Sequence, residues 1–288
     1  MNKKFSPQDL LKDQLSLENN IVVISGGGGF LGLYFAEAVA EFGAIPLLLD
    51  INKIGIDKNL NALQKNNYTA FGFECDISDS ANINLIVSKI IEKYKKVDVL
   101  INATNFVGIN PSNFEDDTNQ YFASFENYSE DLWEQSIKLN LTGTFLLTQK
   151  IGRFMVKKES GSIINIASDV GVISPDHRIY KPDPQNNYQG MNFNTPLSYS
   201  VSKAGVIHMT RYLATYWAEK GIRVNAISPA GVNNNHSEEF TKKLTNLIPL
   251  GRMAFPQELK GPIVFLASNA SSFITGSNLI VDGGRTIW

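Results

Sequence analysis

Cysteine is nearly absent from this chain. Cys75 is the only one in 288 residues, so no disulfide can form within it. A chain of this length can bury a substantial core without such staples, and Cys75 itself reads as a small core residue. Net charge is equally scarce: 26 basic side chains face 28 acidic ones, leaving −2 and no basic surface to suggest a nucleic-acid or membrane partner. No window approaches the roughly 18 uninterrupted apolar residues that span a bilayer. The opening MNKKFSPQDLLKDQLSLENN returns to charged residues before a signal-peptide core could form, so cytoplasmic residence is expected. Repeats, low-complexity tracts and long polar linkers are also missing. These absences leave one α/β domain over residues 16–288. An N-terminal extension, 1–15, precedes it, with Leu10, Leu11 and Leu15 on one side of a short amphipathic helix.

What is present is an alternation of short apolar runs with helical stretches. Strands are predicted at Ile21–Ser25, Ile45–Leu49, Ala70–Glu74, Val97–Asn102, Ser162–Ala167, Arg223–Ile227 and Asn278–Val281. Helices are predicted at Phe30–Phe42, about Lys58–Gln64, Asn82–Tyr94, Glu130–Met155, Pro196–Trp217 and Gln257–Ala267. Buried runs without polar alternation imply parallel strands covered on both faces, and strand–helix alternation implies a doubly wound, Rossmann-type sheet. In such sheets ligands bind beyond the carboxyl ends of the strands. Two polar segments, Asn105–Ser129 and Ser174–Asn194, look like additions to this scaffold.

The first strand runs directly into Gly26-Gly27-Gly28-Gly29-Phe30-Leu31-Gly32, where Gly27, Gly29 and Gly32 satisfy G-x-G-x-x-G. A turn without side chains lets backbone approach a pyrophosphate, and the following helix offers free N–H groups and a positive dipole. Asp50 ends the second strand, 18 residues beyond Gly32, with Ile51 beside it. A carboxylate there can accept hydrogen bonds from ribose hydroxyls and would repel a 2′-phosphate, which predicts NAD rather than NADP. Asp76 and Ile77 end the third strand, near an adenine; Asn102 and Ala103 end the fourth, beside a ribose. Each of these could instead cap a following turn. No metal site is expected.

Tyr199 and Lys203 lie four apart on one helical face, where an ammonium near a phenol favours the phenolate and suits it to acid/base work. Tyr216 and Lys220 repeat the spacing at the far end of the same helix, away from any strand end. Ser168 follows the fifth strand, and Asn140 stands mid-helix, an unusual place for that residue.

Taken together, SGGGGFLG, the strand-end Asp50, CDISD, DVLINA, LNLTGTF, GSIINIASDVG, YSVSK, GIRVNAISPAG and FLASNASSFITGSNLIVDGG resemble the compact branch of the short-chain dehydrogenase/reductase family over residues 16–286. The resemblance implies a seven-stranded parallel sheet, assembled as a homodimer or homotetramer through two helices and the C-terminal region. It implies Tyr199 as proton donor or acceptor, and Lys203 as its tuner and a contact to the nicotinamide ribose. Ser168 would polarise the carbonyl and Asn140 hold a water linking Lys203 to solvent. Cofactor contacts would come from Gly26, Gly28, Gly29, Phe30, Leu31, Gly32, Asp50, Ile51, Asp76, Ile77, Asn102, Ala103, Tyr199, Lys203, Pro229, Ala230 and Val232.

Four departures from the family pattern stand out. The glycine spacing resembles the longer, sugar-nucleotide-modifying branch. Asn102-Ala103-Thr104-Asn105 replaces Asn-Asn-Ala-Gly, and Ala230 with an Asn run replaces the residues after Pro229. Ser168 and Tyr199 are 31 apart, a longer separation than usual, because of the loop at 174–194. Tyr180 is rejected as the acid/base, since Pro184 occupies the place of the lysine.

The segment from VISPDHRIY to MNFNTPLSYSVSK is similar to bacterial oxidoreductases of flagellin or surface-polysaccharide modification. Hydride transfer on a sugar or activated-sugar alcohol or ketone is the function expected, with His177 and Arg178 as substrate contacts. A 3-oxoacyl-carrier-protein reductase, a polyol dehydrogenase, and a catalytically silent NAD-sensing protein are the alternatives.

Overall fold

The computed structural model describes residues 10–106, 123–180, 195–234, 236 and 238–288. Seven strands form one sheet: β1 (Ile21–Ser25), β2 (Ile45–Asp50), β3 (Phe71–Glu74), β4 (Val99–Asn102), β5 (Gly161–Ile166), β6 (Ile222–Pro229) and β7 (Asn278–Val281). Their order is β3-β2-β1-β4-β5-β6-β7, and every pairing is parallel. The chain reverses its direction of travel across the sheet between β1 and β4. The carboxyl ends of those two strands therefore open a crevice.

Period-two alternation assigns each strand's side chains to two cores. On one face Val22, Ile24, Leu48, Val99, Ile101, Ile164 and Ile227 pack against α2 (Phe30–Glu41) and α9 (Lys260–Ala267). Ile56 and Leu63 of α3 (Lys53–Lys65) join the same layer. On the other face Val23, Leu47, Leu49, Leu100, Ile163 and Val224 meet α4 (Ser80–Tyr94) and α6 (Gly143–Lys158). Each fully buried Leu or Ile contributes roughly 1.5–3 kcal/mol, and these two apolar layers hold the sheet rigid beneath the site.

Every predicted strand forms, but β3 lies at the sheet edge and is largely exposed, so it is not sandwiched like the others. The helix expected at Lys58–Gln64 begins earlier, at Lys53, because the Asn52 side chain caps it by accepting from the Gly55 N–H at 3.0 Å. The long helix expected over Glu130–Met155 is broken. It comprises α5 (Glu130–Ile137), a π turn at Lys138–Thr142 and α6. Tyr199 and Lys203 lie on α7 (Leu197–Tyr216). The short α1 (Leu11–Leu15) forms on the N-terminal extension, whereas α8 (Glu238–Thr245) has no counterpart in the sequence reading. Of the two added segments, residues 107–122 and 181–194 lie outside the described ones. His177–Tyr180 forms a 3-10 turn at the start of the second added segment.

Candidate active site

The glycine turn is shaped by contacts that tolerate no side chain. Gly26 adopts φ 70°, and a Cβ there would come within 2.7 Å of the Ala103 carbonyl oxygen at the end of β4. At Gly28 a Cβ would crowd Asp50, whose Oδ2 accepts the Gly28 N–H at 3.0 Å while Oδ1 accepts that of Asn52 at 2.9 Å. Gly29 is the N-cap of α2 and supplies no capping side chain, and the first turn carries no acidic residue. This uncapped, positive helix end fits a pyrophosphate.

One residue of this cradle escaped the sequence reading. Asn59 on α3 is buried, and its amide donates to the carbonyl oxygens of Gly27 (2.8 Å) and Gly29 (3.1 Å). Its place between Ile56 and Leu63, on the apolar face of the helix, was the available signal. Replacing Asn59 with Leu should cost about 1–3 kcal/mol in chemical denaturation, by orphaning both carbonyls, and should weaken NADH binding measured by fluorescence.

Beyond the turn lies a cavity of about 300 Å³, lined by Leu31, Ala103, Pro229, Ala230 and Val232 on the cofactor side. Ser168, Tyr199 and Lys203 line it too, so residues from β5 and α7 converge on one space. The Tyr199 phenol shares this cavity with Ser168 and with Asn105, which occupies the position where the family pattern has glycine; both side chains favour its ionised form. Lys203 donates from Nζ to the Ile166 carbonyl at 2.9 Å, and its ammonium sits 5.6 Å from the centroid of the Tyr199 ring. Burial lowers the Lys203 ammonium to about 8. It pushes the Tyr199 phenol up to about 12, with the Asp169 carboxylate adding to the rise. Desolvation in the cavity thus opposes the attraction by which the neighbouring cation favours the phenolate.

Asn140 lies in the π turn, against α7 through Leu141, which a Cβ at Gly205 would meet at 3.0 Å. Its side chain accepts from the Phe106 N–H (2.7 Å) and donates to the Phe106 carbonyl (2.8 Å). The amide thus braces the chain leaving β4. Asn102 also has a different occupation: its amide donates to Thr148 and Asn165, tying β4 to α6 and β5 beneath the crevice. Asp76 Oδ1 accepts the Ser78 N–H at 2.8 Å, the turn-capping alternative, and Ile77 is buried against Gly143. Phe30 and Ile51 remain exposed at the rim.

The two expected substrate contacts are not brought to this cavity. Arg178 turns to Asp176, with Nη2 2.7 Å from Oδ2, and its side chain is 80% exposed. His177 lines a neighbouring groove with Phe125, Tyr128 and Pro196. The wall opposite the cofactor side is made instead by Tyr180, Thr195, His236, Phe240 and Arg285. Tyr180 and Thr195 join hydroxyls at 2.7 Å, and Tyr180 stacks on Phe240 of α8. Among the described residues, no group of three or more metal-ligating side chains gathers, and no helix is long and apolar enough to cross a membrane.

With this geometry established, comparison with known proteins decides the family. The short chain dehydrogenase profile matches residues 20–180, and the Enoyl-(Acyl carrier protein) reductase profile matches 187–286. The chain belongs to the short-chain dehydrogenase family. It is 32% identical to the NAD-dependent glycerol dehydrogenase of Listeria innocua, with 94% of this chain and 96% of that protein covered. It is 30% identical to the post-translational flagellin modification protein A of Campylobacter coli, with 93% and 98% covered. Its fold superimposes with a TM-score of 0.80 on a gluconate 5-dehydrogenase from Burkholderia cenocepacia in complex with NADP and tartrate. That match has 25% identity and covers 96% of this chain and 98% of the other. This short-chain dehydrogenase is accordingly an oxidoreductase acting on CH–OH groups with a nicotinamide nucleotide.

Proposed function

We propose that the chain interconverts a secondary alcohol of a small polyol or sugar derivative and the corresponding ketone, using NAD(H). The observation carrying this reading is the shared cavity: a half-buried phenol, a serine hydroxyl and a lysine ammonium meet a wall of hydroxyl, imidazole and guanidinium groups. The hydroxyl, imidazole and guanidinium groups of that wall suit a hydroxylated substrate, which favours a polyol or sugar over an acyl chain. In oxidation Tyr199 takes the hydroxyl proton, Ser168 holds the substrate oxygen, and Lys203 stabilises the charge that develops on the phenol. The nicotinamide, when bound, accepts the hydride from the same carbon.

NAD is favoured over NADP because Asp50 stands beside the turn, while Lys53, the nearest cation following it, pairs with Asp57. Asp50→Ala should weaken NAD binding about tenfold to a hundredfold and narrow its advantage over NADP, read by NADH and NADPH fluorescence titration. The same reading includes cytoplasmic residence and a homodimer or homotetramer. Exposed Phe145 on α6, Tyr212 and Tyr216 on α7, and Phe273 and Trp288 near the C-terminus support the oligomer.

A panel of glycerol, D-threitol, xylitol, galactitol, free ketoses and an acetoacetyl thioester, followed by nicotinamide absorbance with each cofactor, tests the assignment. Polyol or ketose turnover is expected. Turnover of the thioester alone would replace it with a 3-oxoacyl reductase. Tight NADH binding with no turnover on the whole panel would favour the sensing protein.

A further inference from the structure

Arg285 reaches the cavity from the last turn of the chain. Gly283 and Gly284 hold φ of 63° and 93°, and Asp282 gathers the N–H groups of Gly284 (2.8 Å) and Thr286 (2.7 Å). That turn delivers Arg285 inward, where it lines the cavity at 5% exposure and pairs through Nη1 with the buried Asp169.

The pair occupies the acid but not the base. Asp169 Oδ1 accepts the Ser168 hydroxyl (2.9 Å) and the Val170 N–H (2.8 Å), while Oδ2 accepts from Arg285. A guanidinium carries five N–H donors, and Asp169 engages one of them. Nε is buried without an acceptor, and Nη2 meets none among the described residues. Buried charged donors are costly to leave unmet, so these point to an acceptor that enters with the ligand.

The neighbours add a further donor and little negative charge. His236, on the same wall, accepts the Asn234 N–H at Nδ1 (3.3 Å), which leaves the neutral ring's proton on Nε2. Asp176, the other carboxylate near Arg285, pairs with Arg178 and does not line the cavity. Around the cavity one carboxylate, Asp169, therefore faces two cations, Arg285 and Lys203. A neutral hydroxyl group brings its own proton and would need an acceptor here in turn. A carboxylate brings two oxygens and no proton, and its plane matches the guanidinium fork.

We propose that Arg285 determines specificity by holding a carboxylate, so that the substrate is a sugar acid rather than a neutral polyol. This narrows the proposed function and rests on the cavity being its substrate site.

The test reads binding, so it stands whether or not the polyol panel shows turnover. D-gluconate and D-glucitol share one carbon chain and differ at one end, carboxylate against hydroxymethyl. D-galactonate with galactitol and D-threonate with D-threitol differ in the same way. Each is titrated into the protein–NADH complex at constant ionic strength, with NADH fluorescence and the unfolding midpoint as readouts. In at least one pair the acid should bind about tenfold more tightly than its alcohol, or better. The variant Asp169→Asn/Arg285→Gln removes both charges together, because removing one partner alone would strand the other. NADH binding reports that it folds. In it the acid's preference should shrink to about twofold or less.

Equal binding of acid and alcohol in every pair overturns the proposal and leaves the polyol reading in place. A preference that survives the double substitution overturns it too. If the double variant does not fold, Arg285→Lys keeps the charge and loses the fork. Loss of the acid's preference then supports the proposal, and its survival overturns it.

Discussion

Tyr199→Phe should lower kcat/KM in both directions by roughly a hundredfold to ten-thousandfold while NADH still binds. The substitution removes one oxygen from a half-buried ring, so packing and the nearby Lys203 ammonium stay in place. What it removes is the phenol oxygen that shares the cavity with Ser168 and Lys203. Tyr180, the other phenol of the cavity, is committed to Thr195. Rates on the most active polyol, with fluorescence titration of NADH, check this. A loss below tenfold would mean that another group moves the proton.

The pH dependence follows from the same burial. Because the phenol holds its proton to about 12, oxidation should accelerate with rising pH wherever proton removal limits the rate, and ketone reduction should slow. Stability carries the same two groups with worked signs. The phenol's folded value lies above its ordinary 10.0, so its contribution holds below about 10 and is lost as pH rises towards 12. The lysine's folded value, about 8, lies below its ordinary 10.5. Its contribution therefore holds above 10.5 and is lost as pH falls towards 8.

Local patterns made the strands and the glycine turn legible, because each depends on residues adjacent in sequence. IVVIS followed by four glycines can hardly be anything but a buried strand entering an open turn, and the Tyr199–Lys203 spacing gained meaning from its place beyond β5. Long-range pairings were not legible in the same way. Arg285 and Asp169 meet only because the C-terminal turn folds back over β6, and nothing near either residue announces the partner. Asn102 occupies a strand end as expected, yet its amide faces Thr148 and Asn165 within the scaffold, a choice made by the register of β4 against β5. His177 and Arg178 drew attention as polar groups in a long loop, but Asp176, two residues before Arg178, satisfies that guanidinium locally. Helix α8 was missed although Phe240 and Leu244 stand four apart. Their apolar face became visible once Ile179, Ile248 and Met253 were seen to cover it.

Gly32→Ala should abolish measurable NADH binding at concentrations that saturate the parent and should lower the unfolding midpoint. Gly32 opens α2 where the helix leans on the turn it follows. A methyl group there would fall inside contact distance of the Gly26 carbonyl oxygen and 2.8 Å from the Gly27 Cα. Both obstacles are backbone, so no side chain can rotate away. The strain can be relieved only by moving the turn or the helix, at a cost of about 1–3 kcal/mol or more. Either movement disturbs the Asn59 bonds to Gly27 and Gly29 and the Asp50 bond to Gly28, which together hold the cradle. Gly261→Ala is the matched control: it also lies in a helix, α9, but a Cβ there meets nothing within 4 Å. That variant should bind NADH like the parent and be no less stable, since alanine is the better helix former. Equal losses in the two variants would show that glycine content, rather than the close approach at Gly32, governs the cofactor site.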